Sequence, residues 1–303
     1  MKKTSFRADL CLLLVAAIWG STFTVVQKAI DAIPPNFFNG CRFLMAAVIL
    51  LLWLWRKPAK GPRFSFSLVK SGLLLGLFLF LGYSFQTVGL LYTTTSKAGF
   101  ITGLSVMIVP LLSIYFLKSK WRPASAAGAF LGTAGLYLLA GGRLSGFNFG
   151  DLLVLCCAAA FAFHIVLTGR VSSRHSALQV TIVQLFAVSL LSFFASAVLE
   201  SKAKSSPFTV LLNKEVLFAL IITSVFATAF AFLAQTAFQK YTSAAKVAVI
   251  FAMEPVFAAL TAYFVLGETL SGLGTLGCFC IFAGMILSEL PQQALSQFRK
   301  YFT

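Results

Sequence analysis

Charge is scarce in this chain, and acid is scarcest. Only 11% of the 303 residues are charged, and 8 are Asp or Glu against 24 Lys or Arg. A soluble domain carries about a quarter charged residues, so this chain has too few to clothe a water-facing surface. Histidine is limited to His164 and His175. The six cysteines (Cys11, Cys41, Cys156, Cys157, Cys278 and Cys280) form no Cys-x-x-Cys pair and have no His cluster beside them. The usual zinc and redox spacings are therefore missing, and the cysteines read as free thiols within apolar stretches. A phosphate-cradling P-loop is also lacking. No catalytic residue, metal ligand or cofactor is expected.

What is present is apolar, at 59% of the residues. It comes in runs of about 18–24 residues, enough to cross about 30 Å of hydrocarbon at 1.5 Å per residue. Ten spans fit, at 8–28, 36–55, 68–91, 95–117, 124–141, 150–170, 177–199, 215–238, 243–265 and 271–289. The breaks carry turn chemistry, as in Pro34-Pro35-Asn36, Arg122-Pro123 and Gly141-Gly142. Because lipid offers the backbone no partners, each span must be a closed helix. The basic N-terminus (Lys2, Lys3, Arg7) resembles a signal peptide, but the apolar run behind it is too long and more spans follow, so it reads as the first span. The net charge of +16 does not indicate nucleic acid, since the basic residues sit in short loops between spans. They cluster at the N-terminus, in the second-to-third loop and around Lys118–Arg122, Arg170–Arg174 and Arg299–Lys300. That side is expected to be cytoplasmic, with both termini on it.

A stretch occurs twice. Gln86, Thr87, Tyr92, Thr93 and Lys97 answer Gln235, Thr236, Tyr241, Thr242 and Lys246, all at an offset of 149 residues. Nearer the start of each half, Asp9, Ala16 and Trp19 answer Asp151, Ala158 and Phe161 at an offset of 142. The seven extra residues fit the loop at 201–213. Such self-similarity marks an internal repeat. Each half holds five spans, an odd number, so the halves are expected to insert with opposite orientation around a site near the midplane. The expected fold class is an all-α polytopic membrane protein of ten transmembrane helices, in two inverted five-helix repeats around a central cavity. The expected units are 1–143 and 144–290, followed by a cytoplasmic tail at 291–303. Pro110 and Pro255 are expected to break the fourth and ninth spans.

With these residues in hand, the chain resembles the drug/metabolite transporter superfamily, in its ten-helix EamA-type branch. The features that carry the resemblance are Trp19-Gly20-Ser21, Arg42-Phe43, Gly103 with Pro110, Glu254-Pro255-Val256-Phe257 and Leu266-Gly267-Glu268. Together they cover residues 8–289. The resemblance implies two EamA-type repeats and the movement of small organic solutes, often the export of amino acids, related metabolites or drugs.

Several polar residues inside the spans are candidates for contact with such a solute. Glu254 lies eight residues past Lys246, about 12 Å along the helix, and so near the middle of the bilayer, where a carboxylate usually faces a cavity or partner. It reads as a proton carrier, a counter-ion for an ammonium, or a cap for backbone freed by Pro255. His164 falls at a similar depth and is either its titratable partner or a lone ring bonded to a neighbouring helix. Trp19 and Phe161 are placed to offer π-faces to a cationic or aromatic solute, or simply to pack. Gln86 and Gln235 read as substrate contacts or interhelical glue. Tyr83 and Thr102 complete the substrate-binding candidates. Arg42, which aligns with Gln184, either snorkels, locks helices or meets substrate. Lys97 and Lys246 read as snorkelling anchors, or as mirrored gates acting with Glu268 or lipid head groups. Gly128-x-x-x-Gly132 and the glycines of the tenth span serve close packing or a homodimer contact.

The partners expected are thus a small-molecule substrate and the lipid bilayer. The competing reading is a membrane-embedded enzyme acting on lipid or lipid-linked substrates. It would need ionisable groups clustered at one interface or metal-ligand spacing.

Overall fold

The computed structural model describes residues 2–56, 64–119, 123–142, 147–200, 210–211, 213–261, 263–264, 267 and 271–289. Among the described residues the chain is all helix. The first three helices are α1 (Lys2–Ala32), α2 (Pro35–Trp55) and α3 (Phe66–Gly89). The fourth span follows as α4 (Thr95–Gly103) and α5 (Ser105–Leu117), then α6 (Pro123–Leu139), α7 (Phe149–Val171) and α8 (Ala177–Leu199). The eighth span is α9 (Lys214–Ile222), a π-helical stretch (Thr223–Phe230) and α10 (Ala231–Phe238). The last two spans are α11 (Ala244–Phe251) with α12 (Glu254–Thr261), and α13 (Gly272–Glu289). Eight of these stretches are long and apolar enough to cross a bilayer, and α6 and α13 are shorter apolar helices. At 17 residues α6 rises about 26 Å. The protein is therefore a polytopic helical membrane protein. The boundary expected at 143, most of the loop at 201–213, Leu266, Glu268 and the tail at 291–303 lie outside the described residues.

The helices start where side chains satisfy their first N–H groups. The Ser65 hydroxyl accepts from Leu68 N–H, and Asn148 and Asp151 form a capping box at α7. Thr94 caps α4 through Lys97 N–H, and Ser243 caps α11 through Lys246 N–H. These two caps occupy equivalent places in the repeat.

Two details depart from expectation, and a third concerns the small residues expected to serve close packing or a homodimer contact. The fourth and ninth spans break at Leu104 and at Ala252–Met253 rather than at their prolines. In both breaks the N–H reaches back three residues instead of four, Leu104 to Ile101 and Met253 to Ile250. Pro255 then sits second in α12, where its missing N–H would have no intrahelical partner anyway. Pro110 is carried inside α5. The eighth span is not a plain α-helix, because eight residues adopt π geometry. Finally, the small residues pack helices within the chain. A Cβ on Gly128 would lie 2.6 Å from Gly284 O, and one on Gly284 would lie 2.7 Å from Gly128 O. Gly135 and Gly277 stand in the same reciprocal relation, at 2.6 and 2.5 Å. Gly128 and Gly135 answer Gly277 and Gly284 at the 149-residue offset, so α6 and α13 meet in an antiparallel seam of repeat-equivalent positions. Gly132 faces open space.

Large apolar side chains cover the outside, with Phe130 and Phe194 each 70% exposed, as a lipid-facing surface requires. Polar groups turn inward and bond between helices. Asn39 Nδ2 donates to Thr87 Oγ1 at 3.1 Å, and Ser189 Oγ donates to Gly40 O at 2.9 Å. The Glu200 carboxylate accepts from Asn36 N–H, Asn36 Nδ2 and Phe37 N–H, capping α2 from the far end of α8.

Candidate functional site

The two broken spans face a cavity of about 440 Å³. Ser105, first residue of α5, and Glu254, first residue of α12, both line it. A helix N-terminus presents unpaired N–H groups and the positive end of its dipole. Glu254 is thus a carboxylate placed where a helix start favours negative charge. Gly20 brings α1 against this point, since a Cβ there would collide with Glu254 O.

The structure places Trp19, Tyr83, Gln86, Thr102, Phe161, His164, Gln235 and Glu254 on the cavity wall, together with Arg42. The aromatic part is continuous. Trp19 packs on Phe232 (5.4 Å between centroids) and Phe251 (4.9 Å), and Tyr83 packs edge-on against Phe43 (5.0 Å) and Phe161 (5.4 Å). Gln86 Nε2 donates to Thr102 Oγ1 at 3.4 Å.

Arg42 is 2% exposed and does not snorkel to an interface. Its Nε donates to Thr228 Oγ1 at 2.6 Å and its Nη2 to Ala227 O at 3.3 Å. Ala227 O also accepts from Trp19 Nε1 at 2.8 Å. Both acceptors belong to the π-helical stretch, whose shifted hydrogen-bond register leaves carbonyls available to side chains. The guanidinium also lies over the Tyr83 ring, 5.1 Å from its centroid. Arg42 thus locks α2 to the eighth span while lining the same cavity as Glu254.

Of the two readings of His164, partner of Glu254 or lone ring bonded to a neighbouring helix, the hydrogen bonds match the second. His164 Nε2 bonds Gln184 Oε1 at 3.0 Å, and Gln184 Nε2 donates to Thr236 Oγ1 at 3.4 Å. An amide on the adjacent helix answers the imidazole at no cost in buried charge, whereas a carboxylate partner would have to be desolvated.

Lys97 and Lys246 lie off the cavity wall and are ion-paired, and the gate expected with Glu268 falls outside the described residues. Lys97 Nζ meets Asp151 Oδ2 at 2.6 Å, and Lys246 Nζ meets Asp9 Oδ2 at 3.3 Å. Each pair joins one half of the chain to the other. The two pairs are images of each other in the repeat, since Lys97 answers Lys246 and Asp9 answers Asp151. Each ammonium is met by a carboxylate of the other half. Asp151 also accepts from Thr93 Oγ1 at 2.5 Å and from Asn148 N–H at 3.0 Å.

Phe232 and Phe251 line the cavity but carry no distinguishing signal in an apolar sequence, and Gln27 and Ser105 line it too, with only their polarity to mark them. The two aspartates stood out only as repeat markers. Among the described residues no group of three or more His, Cys, Asp or Glu side chains converges to hold a metal.

A bundle of membrane-crossing helices, two of them interrupted beside a polar-and-aromatic hollow, is an architecture in which membrane transporters hold their sites. Comparison with known proteins agrees. The EamA-like transporter family model matches residues 6–141 and again 148–290, and the chain belongs to that family. An uncharacterized transporter of Archaeoglobus fulgidus is 38% identical over 283 residues, covering 93% of this chain and 86% of that protein. The uncharacterized inner membrane transporter YedA of Escherichia coli is 32% identical over 159 residues, 51% of each chain. A solved crystal structure superposes with a TM-score of 0.76 at 22% identity, covering 95% of this chain and 98% of that one, which supports the fold.

Proposed function

We propose that this chain carries small organic metabolites across the cell membrane by exposing its central cavity alternately to the two sides. The observation that carries the reading is the cavity itself, walled by repeat-equivalent residues: Trp19 with Phe161, Gln86 with Gln235, and Ser105 with Glu254. The two family units lie upside down relative to each other in this reading. The reciprocal glycine seam and the exchanged Lys–Asp pairs support that arrangement. A volume of about 440 Å³ suits a metabolite-sized guest.

The guest is an amino acid or a related amine. Glu254 faces its ammonium, the Trp19–Phe232–Phe251 and Tyr83–Phe161 surfaces take its apolar part, and Arg42 faces a carboxylate where there is one. An aromatic wall with few polar groups favours breadth over strict selection. Export is the direction. The location is the inner membrane with both termini in the cytoplasm, in line with the basic loops and with the printed name of YedA.

The test is transport into and out of liposomes holding the purified protein, screened over amino acids and amines with and without a pH gradient. Movement of at least one such solute above protein-free liposomes is expected. The reading fails if none moves. Glu254→Gln is expected to abolish or severely slow movement of amines, and an unchanged rate would remove Glu254 from the site.

A further inference from the structure

We propose that Gln239 and Gln27 are the two gate residues of this transporter, one for each membrane face, each holding its face shut when its amide is bonded across the helices. The proposal rests on the alternating-access reading above and adds the residues that perform it.

A second hollow of about 160 Å³ lies between the end of α7, the start of α11 and the far end of α5. Gln239 reaches residues that line both hollows. This side chain is 1% exposed. Its Nε2 donates to Ile165 O, and its Oε1 accepts from Gln235 Nε2 at 3.4 Å. Ile165 and Gln235 line the large cavity. The same Nε2 lies 3.5 Å from where a Cβ on Gly169 would be, and Gly169 lines the small hollow. Ile165 and Gly169 are one helical turn apart, about 6 Å. The wall between the hollows at this point is one turn of α7 with the Gln239 amide packed against it.

The repeat shows what the same place looks like when open. Ile165 and Gly169 answer Phe23 and Gln27, and Gln235 and Gln239 answer Gln86 and Leu90. All four of these counterparts line the large cavity. In the second half only Ile165 and Gln235 line that cavity, while Gly169 lines the small hollow. The amide has also changed helix. On the shut side it sits on the eighth span beside Gly169, and in the other half it sits on α1 at the position that answers Gly169, while Leu90 answers Gln239. Among the described residues, Gln27 Oε1 is a buried oxygen with no hydrogen-bond partner. Exchanging the conformations of the two halves brings the Gln27 amide to the seam beside Leu90, as Gln239 now fills the seam beside Gly169.

Amides suit this task because they donate and accept without carrying charge through hydrocarbon. The Lys97–Asp151 and Lys246–Asp9 pairs do not suit it. Both are formed at once while one hollow is large and the other small, so they hold each half to the other in either state.

The experiment measures spin-label distances by pulsed electron resonance in the full-length protein, with its native cysteines replaced, in lipid nanodiscs. One label pair, at Ala126 and Ala245, spans the small hollow, and another, at Val26 and Ala140, spans the mouth of the large cavity. The unsubstituted protein is expected to show two populations. Gln239→Met keeps the volume and removes the bonds. It is expected to shift the ratio about five- to tenfold towards an open small hollow, as the loss of one or two amide bonds implies. Gln27→Met is expected to shift it the opposite way. Gln239→Asn, whose amide is one methylene short, stands in if the Met variant does not elute as a single folded species. Two populations that neither substitution moves, or that both move in one direction, would overturn the gates alone. A single population in the unsubstituted protein would overturn the alternating-access reading and the gates with it.

Discussion

The two Lys–Asp pairs occupy equivalent places but are not equally built, and their difference can be measured. Asp151→Ala removes the acceptor of Lys97 Nζ at 2.6 Å, of Thr93 Oγ1 at 2.5 Å and of Asn148 N–H at 3.0 Å, in a site where the Asp151 side chain is 1% exposed. Breaking a buried pair of this kind costs about 3–5 kcal/mol. Asp9→Ala removes a longer contact, 3.3 Å to Lys246 Nζ, and a 3.4 Å bond from Ser5 Oγ, with both charged side chains 11% exposed. A charge-assisted bond in that setting contributes about 1.5–3 kcal/mol. The assay is thermal inactivation of purified protein in detergent, read as the fraction remaining monodisperse after heating. Asp151→Ala is expected to lose stability first, with Asp9→Ala between it and the unsubstituted protein. In a double-mutant cycle the effects of Lys97→Ala and Asp151→Ala are expected to be less than additive. An Asp9→Ala protein as fragile as Asp151→Ala, or simple additivity of Lys97→Ala with Asp151→Ala, would refute the ranking.

Other outcomes follow from the same geometry. Gly135→Val drives a side chain into a backbone oxygen 2.6 Å away and should separate α6 from α13, lowering the yield of folded protein, whereas Gly132→Ala meets open space and should gain about 0.5–1 kcal/mol in helix propensity. Arg42→Lys keeps the charge but loses the fork that reaches Thr228 Oγ1 and Ala227 O together, so solute flux should drop at least tenfold with the protein still folded. Glu200→Gln weakens the cap on α2 by about 1 kcal/mol, visible as a lower melting temperature with flux per folded molecule unchanged.

Much of the fold was legible because lipid imposes a length on every apolar run. The seventh span was expected at 177–199 and is found there. The breaks in the fourth and ninth spans were misplaced because proline is an obvious mark, while Leu104 and Met253 look like any apolar residue in a continuous run. The π-helical stretch left no trace either, since TSVFATAF fits an α-helix as well. The site residues stood out as polar exceptions in an apolar chain, but their partners did not. Gln184 was noted only as the repeat counterpart of Arg42, yet it is what His164 bonds. Asp9 and Asp151 marked the alignment without showing which lysine each would meet, because the meeting is between halves and sequence spacing does not encode it.

The carbonyl of Ala227 fastens two things with one oxygen, the Trp19 indole and the Arg42 guanidinium. Any tilt or screw motion of the eighth span must therefore drag an aromatic surface and a buried cation together, like two keys on one ring. A solute that grips either one feels the other move in step.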